Sequence, residues 1–130
     1  KVLGNFTVPA GSNKDTDVYS YSHQGHEIYD EFIYFYEGNA LEIPNSDQFQ
    51  TKAYVTVFDY SGRICVPRTE VAALANTKAW IASGLTTTGW SEPESMKVRA
   101  DGVYLGVAAR DGSSSNRRAN ILYYKCNKLE

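Results

Sequence analysis

Both histidines of the chain lie in one short stretch, 23–27, and the carboxylates Asp30 and Glu31 follow closely. Imidazole and carboxylate groups at such spacing could hold a transition metal with open coordination positions, as a non-haem oxygenase requires. Two imidazoles and one carboxylate without a fixed second shell make a poor site, however. We therefore predict a solvent-facing turn with no metal and no cofactor, and keep His23, His26 and Glu31 as the alternative metal site.

This stretch resembles the first motif of the cupin family, in which His26 is followed after four residues by Glu31 and after six more by Gly38. Segment 62–76, which contains Pro67, loosely resembles the second cupin motif. At the two remaining ligand positions of the family this chain has Gln24 and Ala72, and neither is an imidazole. The resemblance implies a cupin-like barrel of the dioxygenase type with a degenerate metal site.

Other catalytic arrangements are poorly supported. The chain has no Gly-x-Ser-x-Gly nucleophile elbow, and its glycine-containing loops lack the spacing that cradles a phosphate. Paired carboxylates for glycoside cleavage would have to be assembled by folding, which a sequence does not show. We therefore predict a protein that is not an enzyme.

Two predicted polar loops, 84–94 and 110–118, carry the groups that recognise sugars. Aromatic faces pack against the C–H side of a sugar ring, while amides, carboxylates and guanidinium groups fix its hydroxyls. The predicted ligand-binding residues are Trp90, Glu92, Asp111, Asn116 and Arg117. The simpler interpretation of Trp90 is a partly buried anchor of its own loop, in which case the site would lie near Tyr29 and Asp30.

The elements that must position these groups are predicted to be short β-strands, because apolar and β-branched residues alternate between turn signals. Strands are predicted at 2–8, 16–22, 31–36, 40–43, 53–60, 63–66, 96–100, 103–109 and 119–126. Turns are predicted at 23–26 and 37–39, at Ser61-Gly62, and as a type I′ turn at Asp101-Gly102. Segment 69–83 favours a short helix or helical turn followed by a strand at 78–82.

Strands at this spacing predict an all-β fold: an antiparallel two-sheet β-sandwich or jelly roll with at most one short helix, formed by residues 1–130 as a single domain. The strand at 31–36 is apolar on both faces. It is therefore either central to the sandwich or covered by a neighbouring chain in an oligomer.

Composition excludes some partners and leaves others open. A net charge of −2 gives no basic footprint for nucleic acid, and no run of 18 apolar residues is present that would insert into a membrane. The chain begins with Lys1, which suggests a piece excised or processed from a longer protein. Cys65 and Cys126 are either a disulfide or two free thiols, since one pair without a known compartment decides nothing.

Residues 6–38 resemble the opening of the small β-sandwich tip domains of bacteriophage tail fibres and related tail proteins. Those domains begin with a strand that ends in a Val-Pro-Ala-Gly-Ser-like turn, continue into a His-x-x-Gly-like turn, and enter an apolar strand followed by an acidic residue and glycine. The corresponding residues here are 8–12, 18–23 with Gly25, 32–36 and 37–38. The resemblance implies a homotrimer, virion-borne or extracellular, that binds a cell-surface polysaccharide or glycan, although cysteines are not typical of such tips.

Overall fold

A computed structural model describes residues 5–45, 49–71, 90–110 and 117–125 of the chain. These residues form seven β-strands and no helix. The strands are β1 (His23–Tyr29), β2 (Phe32–Glu42), β3 (Phe49–Asp59), β4 (Ile64–Glu70), β5 (Trp90–Arg99), β6 (Gly102–Arg110) and β7 (Arg117–Lys125). The predicted all-β class is confirmed, whereas most of the segment predicted to start as a helix, 69–83, lies outside the described residues.

The strands form two antiparallel sheets that pack as a sandwich. The first sheet has the order β1-β2-β3-β4, and the second has the order β5-β6-β7. Every neighbouring pair is antiparallel and consecutive in the chain, as short hairpin connections allow. Each sheet is therefore built from one continuous part of the sequence.

Two of the predicted hairpins are present. In the turn between β3 and β4, the Asp59 carboxylate accepts hydrogen bonds from the backbone N–H groups of Ser61 and Arg63 at 2.9 and 3.1 Å. Strands β5 and β6 pair as far as Arg99 with Gly102, so their turn consists of residues 100–101. The predicted type I′ turn at Asp101-Gly102 is therefore wrong, because Gly102 belongs to the ladder and Asp101 does not have a positive φ.

A type I′ turn does occur between β1 and β2. Tyr29 pairs with Phe32, and the two residues between them, Asp30 and Glu31, have φ values of 49° and 68°. The backbone of such a turn matches the twist of its flanking strands, although glycine or asparagine usually occupies these positions. The predicted turn at 23–26 is wrong, because those residues belong to β1.

Strand β2 is one long strand, where two strands joined by a turn at 37–39 were predicted. That turn rested on Gly38, which instead pairs with Ala53 inside the ladder. A Cβ atom on Gly38 would lie 2.6 Å from Cγ of Pro93, closer than such atoms approach in proteins. The glycine therefore allows β5 to cross the first sheet at short range.

Strand β5 crosses the inner face of the first sheet from β3 to β1. Near its start, Thr51 of β3 donates a hydrogen bond to the Ser91 carbonyl at 2.9 Å. Near its end, Lys97 pairs with Glu27 of β1 at 2.6 Å. Beside this crossing lies the buried apolar cluster between the sheets, which consists of Tyr36, Ala53, Val71, Leu105 and Val107.

The opposite, outer face of the first sheet is covered by the N-terminal segment, residues 5–22. The ring of Phe6 packs against Phe58 with the ring centres 5.5 Å apart. The ring of Tyr19 meets Phe35 edge-on at 5.4 Å. The described part of the molecule therefore has three layers: this segment, the first sheet and the second sheet.

The N-terminal layer contains no strand. The predicted strands at 2–8 and 16–22 are therefore wrong for all of their described residues. The alternating pattern of residues 5–8 reflects packing of one side of the chain against the sheet, which needs no ladder of backbone hydrogen bonds. Residues 16–22 instead contain turns and bends. Because both faces of β2 are covered within one chain, this strand no longer argues for a neighbouring subunit.

A buried ion pair connects the N-terminal segment to the sheet beneath it. Arg68 of β4 donates to the Glu37 carboxylate at 2.5 Å and to the Ser20 hydroxyl at 3.1 Å. Its guanidinium carbon lies 3.4 Å from the centre of the Tyr54 ring. Burial raises the pKa of the Glu37 carboxyl, and the hydrogen bond from Arg68 opposes that rise. The pair joins β2, β4 and the N-terminal segment at one point.

Candidate functional site

The predicted saccharide-binding residues that the structure describes lie at one end of the second sheet. Trp90 and Glu92 belong to β5, and Arg117 begins β7. The prediction of a loop at 84–94 is therefore wrong for residues 90–94. Asp111 and Asn116 lie outside the described residues, between the end of β6 and the start of β7 in the sequence.

The register of the sheet brings Trp90 and Arg117 into one row. Trp90 pairs with Arg110, and Arg110 pairs with Arg117 on the following strand. Since neighbouring strands lie about 4.8 Å apart, the backbones at Trp90 and Arg117 are separated by roughly 10 Å. Trp90 is half-buried and Arg117 is exposed. Residues from two distant parts of the sequence thus lie on one face of the sheet, because paired positions share a face.

The strand that carries Trp90 is fixed by its neighbour in sequence, Ser91, which is fully buried. The hydroxyl groups of Ser91 and Thr51 are hydrogen-bonded to each other. A β-bulge between Pro93 and Ser95 interrupts the ladder here, and bulges accommodate a proline that cannot donate a hydrogen bond. Trp90 therefore lies at the start of a strand, where a loop was predicted from the sequence.

The Glu92 carboxylate is engaged by the first sheet. The side-chain amide of Gln24 donates to Glu92 at 3.4 Å and to the carbonyl oxygen of Gly38 at 2.8 Å. These contacts orient the carboxylate without neutralising its charge. Glu92 can therefore accept hydrogen bonds from sugar hydroxyls beside Trp90.

A second aromatic group on the same sheet was missed by prediction from sequence. Tyr104 of β6 and Tyr123 of β7 are cross-strand partners, and their rings stack with centres 4.7 Å apart. The Tyr104 hydroxyl donates to the Asp101 carboxylate at 2.6 Å, and the Tyr123 hydroxyl donates to the Asp101 carbonyl at 3.0 Å. The Asp101 hydrogen bond raises the pKa of Tyr104 to about 12. The alternation of 103–109 and 119–125 predicts two strands, but the sequence does not give the register that places the two rings opposite each other.

The two histidines contact each other on the outer face of the first sheet. A β-bulge between His23 and Gly25 shifts the register of β1, which allows side chains three residues apart to meet. Nδ1 of His26 lies 3.2 Å from Nε2 of His23, and the His23 ring packs against Phe35 at 5.1 Å. Burial and the neighbouring His26 lower the pKa of His23.

Glu31 does not join the histidines. It lies in the turn after Tyr29, whereas His23 and His26 lie towards the other end of β1. Within the described ranges, no group of three or more His, Cys, Asp or Glu side chains is placed to hold a metal ion. The ligand set of the cupin-like alternative is therefore not brought together.

The cysteine prediction stays open. Cys65 is a free thiol in the described part of the chain, half-buried and 3.7 Å from the Arg63 carbonyl oxygen. Its possible partner, Cys126, lies outside the described residues.

A groove of about 610 Å³ lies on the outer face of the first sheet, between the N-terminal segment and the β1–β2 hairpin. It is lined by Asn5, Phe6, Val8, His26, Ile28, Ile33 and Tyr60. Its volume is typical of ligand sites, but most of the described residues that line it are apolar. Tyr29 and Asp30, near which the alternative ligand site was predicted, are not among the residues that line it. The Trp90 row is therefore the better candidate for sugar recognition.

No family model matches this chain, and none of the curated proteins or solved structures compared with it matches either. The tail-fibre and cupin resemblances therefore gain no support from these comparisons. Among the described residues, no helix has the length and hydropathy needed to cross a lipid bilayer.

Proposed function

We propose that this chain is a non-enzymatic recognition module that binds a saccharide on a cell surface through the Trp90 end of the second sheet. The observation that carries the proposal is the row that places Trp90 and Arg117 on one face of the second sheet, on either side of β6, with Glu92 contacted by Gln24. In this proposal Trp90 stacks on the C–H face of a sugar ring. Arg117 and Glu92 then bind the hydroxyl groups at its rim.

Asp111 and Asn116 were also predicted to bind the ligand, and they lie outside the described residues. No cofactor and no nucleic acid take part. The chain is proposed to act outside the cell or on a virion, as the tip of a homotrimeric assembly similar to a tail fibre. The trimer rests on the resemblance of residues 6–38 alone, since β2 is already covered on both faces.

The substitution Trp90→Ala tests the site. Loss of a central aromatic contact costs about 2 kcal/mol or more of binding, which is roughly a 30-fold loss of affinity. Binding to bacterial cells and to an array of microbial glycans should fall by that factor, while the thermal midpoint changes by no more than a couple of degrees. Tyr60→Ala is the matched control, because Tyr60 is 56% exposed and lies in the turn between β3 and β4, away from the second sheet.

Two outcomes contradict the proposal. If Trp90→Ala lowers the thermal midpoint by several degrees, Trp90 is a packing anchor, as loss of buried area would cause. If glycan binding persists without Trp90, the sugar site lies elsewhere.

A further inference from the structure

The groove on the outer face of the first sheet has an apolar floor and an apolar wall. Ile28 of β1 and Ile33 of β2 are cross-strand partners and form one row of the floor. Phe6 and Val8 of the N-terminal segment line the groove from the layer above the sheet. In the described part of the chain Ile28 is 56% exposed, so this segment does not close the groove. Contiguous exposed apolar surface is typical of binding sites.

One end of this floor carries an imidazole. His26 precedes Ile28 by two residues on β1, so it faces the same side of the sheet about 7 Å along the strand. It lines the groove together with Ile28. Nδ1 of His26 lies 3.2 Å from Nε2 of His23. Because Nδ1 is directed to His23, Nε2 is the nitrogen of His26 that is left for a ligand.

The contacts of His23 determine which nitrogen of His26 carries the proton. Between two neutral imidazoles, one ring donates and the other accepts. Burial and the neighbouring His26 lower the pKa of His23, whereas a hydrogen bond with the Gly25 backbone acts in the opposite direction. A bond that favours the protonated ring is one that the ring donates, so His23 donates through Nδ1 and accepts through Nε2. Nδ1 of His26 is then the donor of the pair, and Nε2 of His26 offers a lone pair to the groove.

An apolar floor that ends at a hydrogen-bond acceptor selects a ligand with a matching donor. The Asn5 amide also lines the groove, but an amide can donate or accept and does not select between ligands. Asp30 and Glu31 follow Ile28 at the turn and are both exposed, so their charges disfavour an anionic ligand. The best match is a neutral hydroxyl on an apolar body. A phenol combines the two, because its hydroxyl donates and its ring is flat and apolar.

We propose that this groove binds a small phenol, whose ring packs on Ile28, Ile33 and Phe6 and whose hydroxyl donates to Nε2 of His26. The site is separate from the proposed saccharide site, because its lining residues belong to the first sheet, its turns and the N-terminal segment. A groove of about 610 Å³ has room for a compound of two rings. His23 is a positioning residue, since it holds the His26 ring and fixes its tautomer without touching the ligand.

Three biphenyl compounds test the chemistry of the site on one ring system. In para-phenylphenol the hydroxyl can donate, in its methyl ether the oxygen cannot donate, and biphenyl carboxylate is an anion. Binding to the full chain is measured by fluorescence titration and calorimetry at about pH 8, where imidazole side chains are mostly neutral. The phenol should bind about tenfold more tightly than the ether, as one hydrogen bond supplies. The carboxylate should bind most weakly.

Substitutions in the groove separate its apolar and polar contributions. His26→Phe keeps a ring at the end of the floor but removes the acceptor, so the phenol and its ether should bind with equal affinity. Ile28→Ser should weaken both compounds about tenfold, because apolar contact area is lost. Ile121→Ser is the matched control, since Ile121 is 72% exposed and lies on the second sheet. It should change neither affinity.

The positioning role of His23 has its own measurement. Long-range proton–nitrogen NMR spectra of the protein without ligand should show that neutral His26 carries its proton on Nδ1. His23→Leu removes the acceptor that fixes this tautomer. The variant should lose much of the preference for the phenol over the ether while its affinity for the ether stays unchanged, which a merely structural role of His23 does not predict.

Several results overturn the inference. Equal affinities of the wild type for phenol and ether, tighter binding of the carboxylate, or a His26 protonated on Nε2 each remove the acceptor role. Absence of binding by the wild type overturns the phenol assignment. If Val2→Ser combined with Leu3→Ser then allows binding, the first residues of the chain occupy the groove. Dissociation of an oligomer by Ile28→Ser, seen by sedimentation velocity, shows instead that a second copy covers it.

Discussion

The two faces of the first sheet bury apolar side chains by different means. On the inner face, β5 crosses at short range over Gly38 and Ala53, and the contact is between two strands. On the outer face, an irregular segment lays Phe6 and Tyr19 against the sheet and is fixed by the ion pair of Arg68. A strand that is apolar on both sides therefore needs a layer over each face, and one of these layers can be an irregular segment of the same chain.

Substitutions on the two faces should therefore destabilise the protein for different reasons. The inner contact has no space for added atoms, because interiors are packed to crystal-like density. The outer contact depends on a charged group being satisfied, because an unpaired buried charge is costly. Three substitutions separate these causes.

The largest effect is expected from Arg68→Met on the outer face. The change leaves the fully buried Glu37 carboxylate without its partner, and breaking one side of a buried pair costs about 3–5 kcal/mol. Urea denaturation should show that loss in the free energy of unfolding. Lys52→Met, which breaks the partly exposed pair of Lys52 with Glu70, is the control and should cost less than about 1 kcal/mol. Equal losses in the two variants would show that the outer face does not depend on its buried charge.

A smaller loss is expected from Gly38→Ala on the inner face. The added Cβ would lie 2.6 Å from Pro93 and 2.9 Å from the Cα of Ala53, and overpacking of this kind costs about 1–3 kcal/mol. Gly25→Ala is the control, because its Cβ would approach the Met96 nitrogen only to 3.3 Å. The thermal midpoint should fall clearly in the first variant and little in the second. A stable Gly38→Ala protein would mean that β5 can move away from the sheet.

The smallest effect concerns pH and again belongs to the outer face. The pKa of His23 is lowered below 6.5 by burial and by His26, so the unfolded chain takes up this proton at a higher pH than the folded chain. The stability from neutral His23 is complete above about pH 6.5 and is lost as pH falls from there through the folded pKa. NMR titration should place the His23 pKa below 6.5, and His23→Gln should lose less stability than the wild type between about pH 7 and pH 5. A His23 titration at or above 6.5 would contradict this.

The parts of the fold that could be predicted are the hairpins, in which paired strands are adjacent in the sequence. The alternation of 96–109 and the Ser61-Gly62 turn predicted two hairpins that the structure contains, and the last strand was also predicted. In each case the partner strand is adjacent in the chain, so local pattern and turn chemistry carry the information. The two-sheet class follows from these hairpins.

The parts that could not be predicted depend on distant contacts. Gly38 is a residue type typical of turns, but here it lies within a strand. A glycine is needed at this position because Pro93 approaches closely from the other sheet. The Asp30-Glu31 turn lacks the glycine that marks such turns. Residues 5–8 alternate as a strand does, because periodicity records which side is buried and says nothing of hydrogen-bond partners.

The candidate site was predicted in part. Trp90, Glu92 and Arg117 were chosen for their chemistry, and the register does place them at one end of one sheet. The loop that was expected to hold Trp90 is a strand with a bulge at Pro93. The tyrosine pair was missed because each ring alone is an ordinary strand residue, and only the pairing of β6 with β7 makes them a unit.

The order of strands in the two sheets also bears on how the chain folds. Because neighbours in space are neighbours in sequence, each sheet can form by closing short loops, for which the entropic cost is low. The contacts that β5 makes with β1, β2 and β3 join parts of the chain that are far apart, and such contacts slow folding. We therefore expect docking of the two meanders, which brings Pro93 against Gly38, to limit the folding rate.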